Sequence, residues 1–202
     1  MFRTTRIDFG KWLHAFGKYK RLSLPLLLLL VGFVFGCVVF CCYGPNESVF
    51  LGRLFALDPP QSSFRGMLSA LYNSCFLPIL LLGGLLFCGL SACGVPFISV
   101  VPLFFGLGLG MSECYYYSTG WRGVLLTLTV VLPSALIKAT ALLLGTAESM
   151  RMSLLIGGVL TQKNSIGGMH SELRLFLLRF GLFVLLILAG GIVDTLLRLL
   201  VL

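Results

Sequence analysis

Long apolar runs constrain this chain more than any other feature of its sequence. Five of them, at about 22–43, 75–90, 95–111, 123–144 and 175–200, are separated by short polar segments. A helix rises about 1.5 Å per residue, so roughly 20 apolar residues cross the hydrocarbon core of a bilayer. Because 58 % of the residues are hydrophobic and only 11 % are charged, a water-facing core could not bury them all. We therefore predict an all-α integral membrane protein with about five transmembrane helices in a single membrane domain, residues 22–202.

The N-terminal segment, residues 1–21, is basic and holds six of the fifteen Lys and Arg residues. Phe9, Trp12 and Phe16 recur there at helical spacing. This pattern is typical of an amphipathic helix on the membrane surface, but a charged tail that only sets topology fits equally well. Since Lys and Arg concentrate on the cytoplasmic side, we expect a multi-pass protein of the cell membrane with a cytoplasmic N-terminus. Five spans then place segments 44–74 and 112–122 and the C-terminus outside. The local concentration of positive charge favours anionic lipid as its partner over nucleic acid.

The second and third apolar runs predict a short helical hairpin that contains glycine and proline. The segment 91–94 forms an uncharged turn, and each run falls just short of the usual spanning length, which leaves open whether it fully crosses. Gly106 and Gly110 have the small-xxx-small spacing that lets two helix backbones approach closely. We therefore assign packing roles, not ligand binding, to the following residues: Gly94, Pro96, Pro102, Gly106, Gly110 and, in the fourth run, Pro133.

The charged residues inside the predicted spans include Lys138, Asp194 and Arg198. Asp194 and Arg198 are four residues apart and predict an ion pair on one helix face. The predicted spans place Lys138 and Asp194 at different depths, so no pair between them is expected. Lys138 can instead extend toward the headgroups. We expect structural roles for all three, although ionisable groups in a membrane are functional candidates.

Known catalytic and metal-binding signatures are missing from the sequence. It contains no G-x-S-x-G, H-E-x-x-H or Walker A motif, and its seven cysteines include no C-x-x-C pair. The cysteines are interpreted as small packing residues, and a disulfide among Cys42, Cys75 and Cys114 is left open. We therefore expect a protein that is not an enzyme and that carries no cofactor or metal.

Four features follow one another along residues 22–200. The first is a basic N-terminus and first span whose outward loop ends in a Phe-led helix. The others are a glycine-proline turn with two later glycines, a proline in the next span, and a long inner loop before the last span. The residues that carry them are Phe64 to Leu68 with Asn73, Gly94-Val95-Pro96 with Gly106 and Gly110, and Val131-Leu132-Pro133. In this order they resemble the stage II sporulation protein M family of bacterial integral membrane proteins. The tyrosine-rich segment 115–117, the cysteine-rich first span and the long glycine-containing inner loop depart from that pattern.

The resemblance implies a non-enzymatic scaffold that helps a mother cell engulf the forespore. Such a scaffold places two peptidoglycan hydrolases, a lytic transglycosylase and an amidase, at the septal membrane, and it could form a homo-oligomer. The predicted partner surface consists of outward-facing residues: Phe64, Leu68, Tyr72, Asn73, Glu113, Tyr116 and Trp121. Two alternatives remain. One is a transporter or channel subunit, with Pro78, Pro96 and Pro102 around a cavity. The other is a membrane-remodelling member of the family without a sporulation role.

Overall fold

The described part of the chain is helical and contains five helices long and apolar enough to span a membrane. The computed structural model describes residues 9–47, 64–118, 120–160 and 169–201, with side chains for 22–42, 68–69, 71–118, 120–121, 123–125, 127–158 and 171–198. The helices are α1 (Phe9–Glu47), α2 (Phe64–Gly89), α3 (Val95–Ser118), α4 (Trp121–Leu126), a π-helical segment (Thr127–Val131), α5 (Leu132–Leu160) and α6 (Met169–Val201). The spans are Leu22–Cys42, Leu71–Gly89, Val95–Ser118, Gly123–Gly158 and Ser171–Arg198. The predicted all-α membrane fold is confirmed.

The hairpin of α2 and α3 is longer than the sequence indicates. Helix α2 has 26 residues and α3 has 24, so each exceeds the roughly 20 residues needed to cross a bilayer. The Phe-led helix expected at the end of the outward loop is the start of α2 itself. Pro78 and Pro102 lie inside these helices and are buried. Burial against neighbouring helices is the setting in which proline is tolerated within a span.

Helices α1 and α3 run parallel and pack backbone against backbone through glycine on both sides. A Cβ atom added at Gly106 would overlap the carbonyl oxygen of Leu29, and one at Gly110 would overlap that of Phe33. In the same way, Gly32 and Gly36 of α1 lie against carbonyl groups of α3. The spacing of Gly106 and Gly110 therefore has a matching small-xxx-small pair in the first span, which was not predicted.

The turn between α2 and α3 is closed by short contacts, and we call this end of the bundle the turn end. Gly94 N–H donates to the Ser91 carbonyl at 3.3 Å, and a Cβ at Gly94 would overlap the Cys88 carbonyl. Ser153 of α5 donates to the same Ser91 carbonyl at 2.7 Å, and Ser149 donates to the Leu85 carbonyl at 2.8 Å. Helix α5 therefore holds the turn through two buried serine hydroxyls.

The fourth span is one helical rod that extends past its predicted end. Residues 123–144 were expected as the span, with a long inner loop after them. Instead α5 continues to Leu160 and includes the first part of that loop. The π-helical segment ends two residues before Pro133, whose ring would collide with a carbonyl four residues earlier in a regular helix. A widened turn relieves that collision and keeps the rod continuous.

Helix α1 begins at Phe9 and enters the first span without a break. The side chains of residues 1–21 lie outside the described ones, so their amphipathic placement on the membrane stays a prediction. The loop 48–63 and the segment 161–168 also lie outside the described residues.

Candidate functional site

A buried cluster of charged side chains joins three helices in the half of the bundle away from the turn end. Lys138 Nζ of α5 lies 3.9 Å from Asp194 Oδ2 of α6, and the two side chains are only 9 % and 5 % exposed. Ser74 of α2 bridges them, because its Oγ donates to Asp194 Oδ2 at 2.6 Å and accepts from Lys138 Nζ at 2.6 Å. Arg198 Nε donates to Asp194 Oδ1 at 3.1 Å, one helical turn along α6. The Asp194 carboxylate is thus bound on both oxygens.

The expectation that Lys138 and Asp194 do not pair is wrong. Helices α5 and α6 are antiparallel, and a Cβ added at Gly190 would lie 3.2 Å from Lys138 Cγ. Lys138 is therefore level with Gly190, and Asp194 is one turn, about 5.4 Å, farther along. The four-carbon stem of lysine covers that distance. The error arose because the predicted fourth span ended at 144, whereas the helix runs to Leu160 and shifts the register between the two helices.

The cluster borders a small cavity between α2, α3, α5, α6 and the π-helical segment. Its volume is about 60 Å³. Polar side chains supply much of the wall: Asn73, Ser74, Ser112, Tyr116, Ser134, Lys138, Asp194 and Arg198. The rest is apolar: Leu77, Pro78, Phe105, Leu109, Val131 and Ala135. A polar cavity of this size has room for roughly four waters, at about 15 Å³ of accessible volume each.

The hydroxyl protons on the cavity wall are largely committed to the backbone. Ser112 Oγ donates to the Leu109 carbonyl at 2.9 Å, and Ser134 Oγ donates to the Val131 carbonyl at 3.1 Å. Tyr116 interacts with the Arg198 guanidinium through its side chain. The oxygens of these two serines are therefore available to accept hydrogen bonds from a molecule in the cavity, whereas Lys138 and Arg198 are donors.

The 2.6 Å between Ser74 Oγ and Lys138 Nζ is within the distance expected for a nucleophile and its general base. Ser-Lys pairs have these roles in some hydrolases. Catalysis would need a neutral lysine that accepts the serine proton. Here the Ser74 hydroxyl donates its proton to the Asp194 carboxylate at 2.6 Å, and its oxygen accepts from Lys138. The arrangement works as an ion pair bridged by a hydroxyl, which stabilises the meeting of three helices.

A second set of ion pairs joins α5 and α6 near the turn end. Arg151 contacts Glu172 at 2.7 Å and Glu148 at 3.6 Å, and Arg179 contacts Glu148 at 2.6 Å. These side chains are between 26 % and 43 % exposed. Three of the four residues lie between the predicted spans 123–144 and 175–200, in the expected inner loop, so these pairs were not predicted. Such partly exposed pairs contribute up to about 1 kcal/mol each, and their main role here is to set the register.

The residues predicted as a partner surface divide into two groups. Leu68, Tyr72 and Asn73 on α2 are exposed, as is Trp121 at the start of α4, which is 74 % exposed. Glu113 is only 5 % exposed, and Tyr116 is half-buried on the cavity wall, so neither residue belongs to an exposed surface. Helix α3 continues two turns beyond residue 111, the predicted end of the span, and this extension carries both residues into the bundle. The side chain of Phe64 lies outside the described ones.

The cysteines are all free thiols, and all seven lie in the described residues. Of the three for which a disulfide was left open, Cys42 is exposed, Cys75 is buried and Cys114 is half-buried. Cys75 Sγ donates to the Ile187 carbonyl at 3.8 Å and packs between α2 and α6. Among the described residues, no group of three or more His, Cys, Asp or Glu side chains could hold a metal ion.

No protein-family model, curated protein or solved structure matches this chain.

Proposed function

We propose that this protein is a non-enzymatic membrane scaffold of the stage II sporulation protein M type. Its bundle holds the segments at the end opposite the turn in fixed positions, facing the cell wall. In this role it localises peptidoglycan hydrolases, a lytic transglycosylase and an amidase, at the septal membrane during forespore engulfment. The orientation follows the predicted cytoplasmic N-terminus.

The proposal is supported by the positions of Gly94, Gly106 and Gly110, the glycines on which the family resemblance depends. Gly94 closes the turn under the Cys88 carbonyl, and Gly106 and Gly110 lie directly under the backbone of α1. At each position a side chain would overlap backbone atoms, which cannot swing aside. The spacing that resembles the family therefore coincides with the contacts that fix the arrangement of α1, α2 and α3. This is the property that a positioning scaffold needs.

The exposed candidate surface lies on α2 at the end opposite the turn. Leu68 and Tyr72 are four residues apart, so they share one helix face, and Tyr72 is 63 % exposed. Asn73 is exposed beside them. An exposed aromatic residue next to a polar one at a span's end suits contact with a protein partner at the membrane surface.

Co-purification of the two hydrolases tests the proposal. The double variant Leu68→Ala/Tyr72→Ala should lower the recovery of both enzymes from cells that express them with the tagged protein. Phe87→Ala is a matched control, because Phe87 is 76 % exposed on the same helix near the turn end. Unchanged recovery with the double variant, or an equal loss with Phe87→Ala, would contradict the assigned surface. Failure to recover either hydrolase with the wild-type protein would refute the scaffold proposal.

A second candidate function, transport, is favoured by one observation, the polar cavity with three charged side chains. Transporters often place such sites near the membrane midplane, where helices are interrupted. Here the helices that carry Pro78 and Pro102 are continuous, and the cavity holds only a few waters. Solute uptake into proteoliposomes that is lost in Lys138→Met would support transport over the scaffold.

A further inference from the structure

The charges of the side chains that line the cavity do not cancel. Lys138 and Arg198 carry two positive charges, and Asp194 carries one negative charge, which leaves a formal excess of +1 among the described residues that line it. Lys138 and Asp194 are almost fully buried, and the Arg198 side chain is 13 % exposed. An uncompensated charge at such depth is costly, and buried charges in membrane proteins are normally paired.

A single carboxylate, with one negative charge, faces both cations. One Asp194 oxygen accepts from Arg198 Nε, and the other accepts from Ser74 and faces Lys138. Among the described residues, Lys138 Nζ has one hydrogen-bond acceptor, the Ser74 oxygen. An ammonium has three donors, so two remain for an occupant of the cavity.

The rest of the wall suits an occupant with bound water. Ser112 and Ser134 direct their protons to backbone carbonyls, so their oxygens can accept from water. With about 60 Å³, the cavity accommodates a small ion and two or three waters, at about 15 Å³ each. A phosphate ester with its organic group would not fit in this volume.

We propose that this cavity binds one small monovalent anion of halide size, held by Lys138 and Arg198 as a resident counter-ion. The anion neutralises the excess charge where α2, α5 and α6 meet. The proposal goes beyond the scaffold function and does not depend on it, because it concerns only an ion bound inside the folded bundle.

Binding of radioactive chloride to the purified full-length protein in detergent tests the proposal. Sodium gluconate keeps the ionic strength constant, since gluconate is too large for the cavity. Saturable, equimolar chloride binding that bromide and formate displace and gluconate does not is the expected result. Binding without saturation, or displacement by gluconate at equal concentration, would overturn it. The melting temperature of the wild-type protein should also rise when chloride replaces gluconate, and an unchanged melting temperature would contradict the proposal.

Variants separate this cavity from other cationic sites. Lys138→Met removes the excess charge and should abolish saturable chloride binding while size-exclusion chromatography still shows a monodisperse protein. Asp194→Asn raises the excess charge to +2 and should tighten binding. Arg151→Met is the matched control, because it removes one positive charge near the turn end without contacting the cavity, and its chloride binding should equal that of the wild type. Equal binding by Lys138→Met, or its loss in Arg151→Met, would refute the assignment. If neither Lys138→Met nor Asp194→Asn folds, the melting temperature of the wild type tests the proposal: a rise with chloride supports it, and no change contradicts it.

Discussion

Replacing Gly106 with alanine should separate α1 from α3, the closest helix pair in the described bundle. The added Cβ would overlap the Leu29 carbonyl oxygen and lie 3.0 Å from both the Leu29 carbonyl carbon and the Phe33 nitrogen, whereas ordinary contacts begin at 3.4 Å. These are backbone atoms, so relief requires movement of a whole helix by several tenths of an ångström. Overpacking of this kind costs about 1–3 kcal/mol, and the rigid neighbours place Gly106→Ala near the upper value, about 3 kcal/mol.

The control for that experiment is Gly84→Ala on α2, where a Cβ would meet nothing within 4 Å. Alanine at an open helical position should stabilise by about 0.5–1 kcal/mol, because glycine loses more backbone freedom on folding. The free energy of unfolding of both variants can be measured by titrating SDS into mixed micelles and following circular dichroism. The two variants should shift in opposite directions and differ by about 4 kcal/mol. Equal stability of Gly106→Ala and Gly84→Ala would refute the close approach of α1 and α3.

Three further substitutions test other buried contacts by the same unfolding measurement. Ser74→Ala removes the hydroxyl that bridges the ion pair and should lower the free energy of unfolding by about 1–3 kcal/mol. Ser99→Ala is the control, because it loses only a hydrogen bond within its own helix and should be nearly neutral. Equal effects of the two substitutions would contradict the bridging role. Ser153→Ala releases the turn between α2 and α3 and should cost about 1 kcal/mol, with faster hydrogen exchange in that turn; unchanged exchange would count against it. Glu113→Gln should keep or raise stability, because the buried Oε2 atom has no hydrogen-bond partner among the described residues; a marked loss would show that the carboxylate is needed.

Features that act along one helix were predictable from the sequence, since their spacing is visible in a single segment. The five spans, the ion pair of Asp194 with Arg198, and the small-xxx-small spacing of Gly106 and Gly110 belong to this class. Each follows from helical periodicity and apolar composition alone.

Features that depend on the register between helices were not predictable. Lys138 meets Asp194 only because α5 runs to Leu160 and sets its alignment with α6. Ser74 gives no signal in the sequence, because a single serine near the start of a span resembles any surface serine. Gly32 and Gly36 were overlooked because the first run reads as uniformly apolar, and their role appears only when α3 packs against them.

The central structural claim is that Lys138 and Asp194 form one coupled cluster inside the bundle. A double-mutant cycle with Lys138→Met and Asp194→Asn tests it most directly through the free energy of unfolding in mixed micelles. Asp194→Asn alone leaves two buried cations and should cost about 3–5 kcal/mol. In the Lys138→Met background that cost should fall by about 1–3 kcal/mol, the coupling typical of contacting residues. Additive effects within about 0.5 kcal/mol would show that the two side chains do not interact and would contradict the account.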